Sequence, residues 1–153
     1  MSEAEGPPRV ERVDQAAGRA LRIAVLRPHE PDAPRMYAGE DDPETLHFAA
    51  LDPSGEVLAV GSAIADPHPR EPRPGDWRIR GMATVPERRG EGLGAAVLEA
   101  LVTAAEGKGA ERLWCNARVG AVPFYERAGF AVEGEEFELP RIGPHRLMSR
   151  SLR

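Results

Sequence analysis

Between a strand-like run and a helix-like run, residues 85–94 read Val-Pro-Glu-Arg-Arg-Gly-Glu-Gly-Leu-Gly, and this loop limits the chain's options more than any other stretch. Glycine has no Cβ, so the backbone here can take φ > 0 and bring successive N–H groups close to a ligand, while the helix that follows adds the positive end of its dipole. The arrangement is chemistry aimed at a phosphate, with Arg88 and Arg89 placed to hold outer oxygens. Residues 78–94 carry four arginines against two glutamates, inside a chain whose 20 Lys and Arg and 25 Asp and Glu leave a net charge of −5. The acidic total argues against a general nucleic-acid binder, and the local basic excess suits a polyanionic cofactor.

At 153 residues the chain suits one domain able to bury a substantial core without disulfides or metal. A flexible N-terminus over 1–9 and a single domain over 10–153 are expected. The lone Cys115 allows no intrachain disulfide, which favours a reducing, cytoplasmic setting. Met1 to Val10 has no apolar run and reads neither as a signal peptide nor as a membrane span.

Val10 to Val13 reads as a first strand, and Asp14 to Leu26 repeats apolar residues at helical spacing. Pro28 to Pro43, with four prolines, reads as irregular. Thr45 to Leu51 and Glu56 to Ala63 read as antiparallel strands joined by the turn Asp52-Pro53-Ser54-Gly55. Asp66 to Gly75, with four prolines in ten residues, reads as an exposed, mobile loop. Trp77 to Val85 alternates as a strand with a glycine where a bulge can sit, and Leu93 onward is an amphipathic helix stopping at Gly107 or Gly109. Arg112 to Asn116 is a short strand, Ala121 to Ala128 a short helix and Phe130 to Glu133 a strand. Gly134 to Phe137 and Arg146 to Leu152 form a closing hairpin. The order β, α, β, β, β, α, β, α, β, β predicts an α/β (α+β) fold built on a mixed sheet flanked by helices.

Three phosphate-loop readings compete. Gly90-x-Gly92-x-x-Ala95 matches the letters of a dinucleotide fingerprint, but the next strand ends at Cys115-Asn116 instead of at the expected acid. A Walker loop needs Gly-Lys followed by Ser or Thr, and Gly94 is followed by Ala95. The third reading accounts for more residues. Arg89-x-x-Gly92-x-Gly94 after Met82-Ala83-Thr84-Val85-Pro86 resembles the acetyl-coenzyme A pyrophosphate loop of the GNAT superfamily of N-acetyltransferases. Asn116-Ala117-Arg118-x-x-Ala121-x-x-Phe124-Tyr125-Glu126-x-x-Gly129-Phe130 is similar to its second cofactor motif, and Gly143-Pro144-His145-x-x-Met148 to the ending of one bacterial subgroup.

The resemblance implies a splayed, mostly antiparallel sheet with acetyl-coenzyme A wedged where two strands diverge. It implies that backbone N–H groups of Arg89, Gly90, Glu91, Gly92, Leu93 and Gly94 bind the pyrophosphate. Met82, Ala83 and Thr84 would pair with the pantetheine arm and polarise the thioester, Asn116 would hold the pantetheine, and Tyr125 would face the sulfur. The implied reaction is direct transfer of an acetyl group to a primary amine, without metal. Its rival is a non-catalytic acyl-coenzyme A sensor built on the same fold.

An amine attacking a thioester builds charge on oxygen, which needs a fixed N–H donor, and expels a thiolate, which needs a proton. A phenol near ~10 giving a proton to a thiolate near ~8.5 is mildly uphill, so hydrogen bonding to sulfur is the larger expected role of Tyr125. Each site residue has a plainer reading: Tyr125 as core packing, Asn116 as a helix cap, the arginines as solvated charge. The strand before the loop holds no glutamate to act as base, leaving Glu40, Asp41, His47 and His145 as candidates. His47 also reads as a satisfied core histidine and the acids at 40–42 as a solvated turn. Cys115 as a nucleophile is the less favoured mechanism. An acidic pocket taking a small-molecule or peptide amine is expected, in a monomer or homodimer with neither nucleic-acid nor membrane partners.

Overall fold

The computed structural model describes residues 6–26, 39, 41–140 and 142–152. Along them run β1 (Arg9–Arg12), α1 (Arg19–Leu26), β2 (Leu46–Leu51), β3 (Val57–Ala65), β4 (Asp76–Thr84), α2 (Leu93–Gly107), β5 (Arg112–Arg118), α3 (Val122–Arg127), β6 (Ala131–Leu139) and β7 (Gly143–Ser151). The strands form one sheet in the order β1-β2-β3-β4-β5-β7-β6. Every neighbouring pair is antiparallel except β4 and β5. No helix among the described residues is long and apolar enough to cross a membrane.

The period-2 pattern of the strands feeds two cores. Leu46 and Ala50 of β2, with Leu58 and Ala59 of β3, pack under α2, whose buried Leu93, Val97, Leu98, Leu101, Val102 and Ala105 recur at helical spacing. Ala49, Leu51, Val60 and Ala83 instead meet Leu21, Val25 and Leu26 of α1. Helix α2 stops where Gly109 takes φ 92°, so that Ala110 N–H bonds the Ala105 carbonyl at 2.9 Å and Gly109 N–H that of Glu106 at 3.0 Å.

Three elements differ from their sequence-based boundaries, each for a local reason. Helix α1 starts at Arg19, not Asp14, because the Asp14 carboxylate accepts the N–H groups of Ala16 and Ala17 at 3.0 Å and holds the chain in turns. The two short runs expected at 130–137 are one strand, β6, whose pairing with β7 shifts register between Glu133 and Phe137, beside Gly134 at φ 73°. The proline-rich segment 66–75 is anchored: Asp76 accepts N–H groups of His68 and Arg73 and two bonds from Arg112 at 2.8 and 2.9 Å. His68 lies buried, its Nδ1 accepting N–H groups of Arg70 and Glu71 and its Nε2 donating to Glu133 at 3.0 Å. Most of the irregular stretch expected at 28–43, and the first five residues of the N-terminus, lie outside the described residues.

Candidate active site

Strands β4 and β5 pair over three positions, Asp76–Arg78 against Arg112–Trp114, and then part. Beyond that seam β4 runs on to Thr84 and β5 to Arg118 with no bond between them, while each stays paired to its outer neighbour. On β4, Gly81 and Met82 oppose the single Gly61 of β3, a bulge made possible by Gly81 at φ 65°. A cavity of about 480 Å³ fills the gap. Met82, Ala83 and Thr84 lie along one wall and Asn116 along the other. The unpaired stretch of β4 leaves backbone groups toward the gap that an extended ligand can pair with, as a strand would.

The glycine loop lies at the end of this cleft. Pro86–Arg88 form one 3₁₀ turn, after which Gly90 and Gly92 take φ 85° and 81°, with no protein atom within 4 Å of where a Cβ would stand. Gly92 is the N-cap of α2, no side chain caps it, and the first turn holds no acid. The leading N–H groups of α2, those of Leu93 and Gly94 among them, therefore keep their affinity for an anion. Glu91 bridges the two glycines. Arg89 lines the cleft, whereas Arg88 turns to Glu91, its Nε 2.8 Å from both carboxylate oxygens. Of the two arginines expected to hold phosphate oxygens, one is thus occupied on the surface. At Gly94 a Cβ would crowd Phe124 and Thr84 Oγ1 at 3.3 Å, so glycine lets α2 start close to α3 and the end of β4 without either side chain giving way.

Tyr125 lines the cleft from α3 and is held from both sides by aromatic rings: Phe124 at 5.1 Å and Phe130 at 5.5 Å, each edge to face. Burial, with a smaller push from Cys115, raises its hydroxyl well above the ordinary phenol range, so it stays protonated and able to donate a hydrogen bond. Cys115 sits in the core with its thiol pushed by burial up to about 12. A thiol so reluctant to ionise is no nucleophile.

The candidate bases separate by position. His47 is buried under α1, its Nδ1 2.6 Å from Ser62 Oγ and 3.3 Å from Arg22, as the core-histidine reading expects. Asp41 lines a different pocket beside Asp14, and Glu40 lies outside the described residues. His145 of β7 lines the cleft, opposite Arg118 of β5. A carbonyl can only accept, so the 2.8 Å contact from His145 Nδ1 to the Gly143 carbonyl puts the proton on Nδ1 and leaves Nε2 bare in the neutral ring. The sequence counts Arg78 and Arg80 toward a basic excess suited to the cofactor; the structure sets both along the cleft together with Arg118, which that excess did not include. Among the described lining residues Arg78, Arg80, Arg89 and Arg118 appear and no carboxylate does, contrary to the expected acidic pocket. Alternation along β4 and β5 was a legible signal for Arg78, Arg80 and Arg118 sharing a face; the pairing that brings those faces together was not.

A model of the acetyltransferase (GNAT) family matches residues 12–130. The uncharacterised N-acetyltransferase YitI of Bacillus subtilis is 29% identical over 133 residues, 87% of this chain and 89% of that protein. Among solved structures, Escherichia coli ElaA superposes with a TM-score of 0.75 at 17% identity, over 94% of this chain and 99% of its own. An aminoglycoside 6'-N-acetyltransferase complexed with coenzyme A does so with a TM-score of 0.68 at 15% identity, over 95% and 97%.

Proposed function

The chain belongs to the acetyltransferase (GNAT) family, whose members move an acetyl group from acetyl-coenzyme A to an amine, and we propose that it does so in the cleft between β4 and β5 with His145 receiving the amine's proton. The observation that carries this reading is the three-residue seam: it opens the middle of the sheet beside a helix N-terminus free of acids and of side-chain caps. A cofactor with phosphates at one end and a thin polar arm at the other fits both features.

In this reading the N–H groups of residues 89–94 and the Arg89 guanidinium hold the pyrophosphate. Backbone groups of Met82, Ala83 and Thr84 pair with the pantetheine, and one N–H at the bulge stabilises charge on the carbonyl oxygen as the amine adds. Asn116 bonds the arm from the opposite wall. As the carbon–nitrogen bond forms and the carbon–sulfur bond breaks, His145 Nε2 accepts the proton leaving nitrogen. The Tyr125 hydroxyl donates a hydrogen bond to the departing sulfur, which is reprotonated from solvent. The products are the acetylated amine and the free thiol, and the compartment consistent with one buried, reduced cysteine is the cytoplasm.

The test is a pH series of kcat/KM for thiol release in wild type and His145→Gln. If His145 is the base, the variant loses the acidic limb of the profile while acetyl-coenzyme A still raises its melting temperature. An acidic limb unchanged in the variant would assign the base elsewhere. Tight binding without thiol release from any amine would favour the sensor.

A further inference from the structure

The charges around the cleft are sorted by face. Arg89 stands with the glycine loop where the phosphates are read to bind, and from Thr84 to Arg78 the strand runs back six residues, about 20 Å at the rise of a β-strand. Pantetheine carries no charge, so the arginines at the seam end have no anion to meet on the coenzyme. Arg78 shows what such a position costs. Its guanidinium lies 4.6 Å above the Trp114 ring, its Nε is buried with no hydrogen-bond partner, and its ion-pair partner Asp66 is 3.5 Å away and itself more exposed. Burial weakens the hold of this cation on its proton, and Asp66 restores only part of it. Arg80 and Arg118 line the same cavity, and Arg118 Nη2 also donates to the Leu26 carbonyl at 2.7 Å.

Around these cations the walls are apolar: Val25 and Leu26 at the end of α1, and Leu139 and Ile142 from the β6–β7 turn. A polycationic acceptor entering here meets the Arg78 guanidinium, whose carboxylate partner Asp66 stands outside the lining. An acceptor that brings its own carboxylate gives the half-compensated guanidinium a second partner and leaves its apolar body against the walls.

Building on the transferase reading of this cleft, we infer that the acceptor is an amine on an apolar body that also carries a carboxylate, with Arg78, stacked on Trp114, as the anchor for that carboxylate. The class is amino acids of low polarity, not polyamines or aminoglycosides.

The experiment uses matched acceptors: leucine and 6-aminohexanoate, each with its carboxamide and with the amine stripped of the carboxyl group, and spermidine as the polycation. Thiol release should favour an acid over its own amide by about tenfold or more in kcat/KM, the scale of one charge-assisted contact. In Arg78→Gln that ratio should fall toward one. Should Arg78→Gln fail to fold, Arg78→Lys, which keeps the charge and loses the planar stack on Trp114, should lower the ratio in part. Amides or spermidine turned over as well as the acids would overturn the assignment, as would a preference for acids that either substitution leaves undiminished. If acetyl-coenzyme A stabilises the chain and none of these amines releases thiol, the assignment fails while the transferase reading stands. If acetyl-coenzyme A does not bind, the transferase reading fails first.

Discussion

The N–H of Phe130 donates to the carbonyl of Tyr125 at 3.0 Å, and the rings of the same two residues meet edge to face at 5.5 Å. Backbone and side chain thus fix the same pair. Gly129 between them takes φ 91° and bonds the Glu126 carbonyl at 3.0 Å, completing the left-handed ending that stops α3. The run Phe124-Tyr125-Glu126-Arg127-Ala128-Gly129-Phe130 is therefore a helix terminus that orients Tyr125 at the cleft.

Gly129→Ala should lower stability by about 1–2 kcal/mol, the cost of a Cβ in the left-handed region. The added methyl itself meets Arg150 at an ordinary 3.5 Å, so the strain is in the backbone. Asn tolerates this conformation better, and Gly129→Asn should lose less. Urea denaturation of the two variants checks it; equal losses would remove the left-handed explanation.

Tyr125→Phe keeps both ring contacts and removes the hydroxyl. Stability should stay within about 0.5 kcal/mol, acetyl-coenzyme A affinity near wild type, and kcat should fall by about 10²-fold. Calorimetry and single-turnover kinetics separate the quantities. A wild-type kcat, where chemistry limits the rate, would make Tyr125 a packing residue.

Gly92→Val forces a β-branched residue to φ 81° at a position with open space around it. The fold should survive a loss of about 1–2 kcal/mol, because no protein atom is displaced. The side chain would occupy the path of the anion, so the thermal stabilisation by acetyl-coenzyme A should disappear. Unchanged affinity in the folded variant would move the phosphate site off this loop.

Asp76 gives a pH dependence. Burial alone would raise its carboxyl, but the Arg112 bonds and the N–H groups of His68 and Arg73 outweigh that and hold it at about 2, down from 3.8. A carboxyl lowered on folding stabilises the protein above its unfolded value and ceases to do so as pH falls through the folded one. The contribution is about 2 kcal/mol, lost between about pH 4 and about pH 2. Urea titrations across that range should show wild type converging on Asp76→Asn as the pH drops. Parallel curves would mean that the carboxyl is not held low.

The order of elements was legible because the strands alternate and α2 repeats cleanly, and the glycine loop because its φ values demand that residue. The anchoring of 66–75 was not, since four prolines describe what a segment cannot form and say nothing of a buried His68 or of Asp76 and Arg112, 36 residues apart, meeting across the seam. Arg78 was legible only as one charge in a basic run: its environment is made by Trp114 on the neighbouring strand and by Asp66 in the loop. Chemistry carried within one local motif could be read from the chain, and chemistry assembled by a parallel pairing could not.

A strand with unsatisfied backbone groups at the rim of a sheet invites another copy of the chain to add to it, and proteins guard such rims with charge. Here the rim at β6 carries Glu133, Glu135, Glu136 and Glu138, while the free edges of β4 and β5 face inward across the opening, flanked by α1 and α3. The open β-structure of the cleft therefore lies inside the sheet, away from the charged rim at β6.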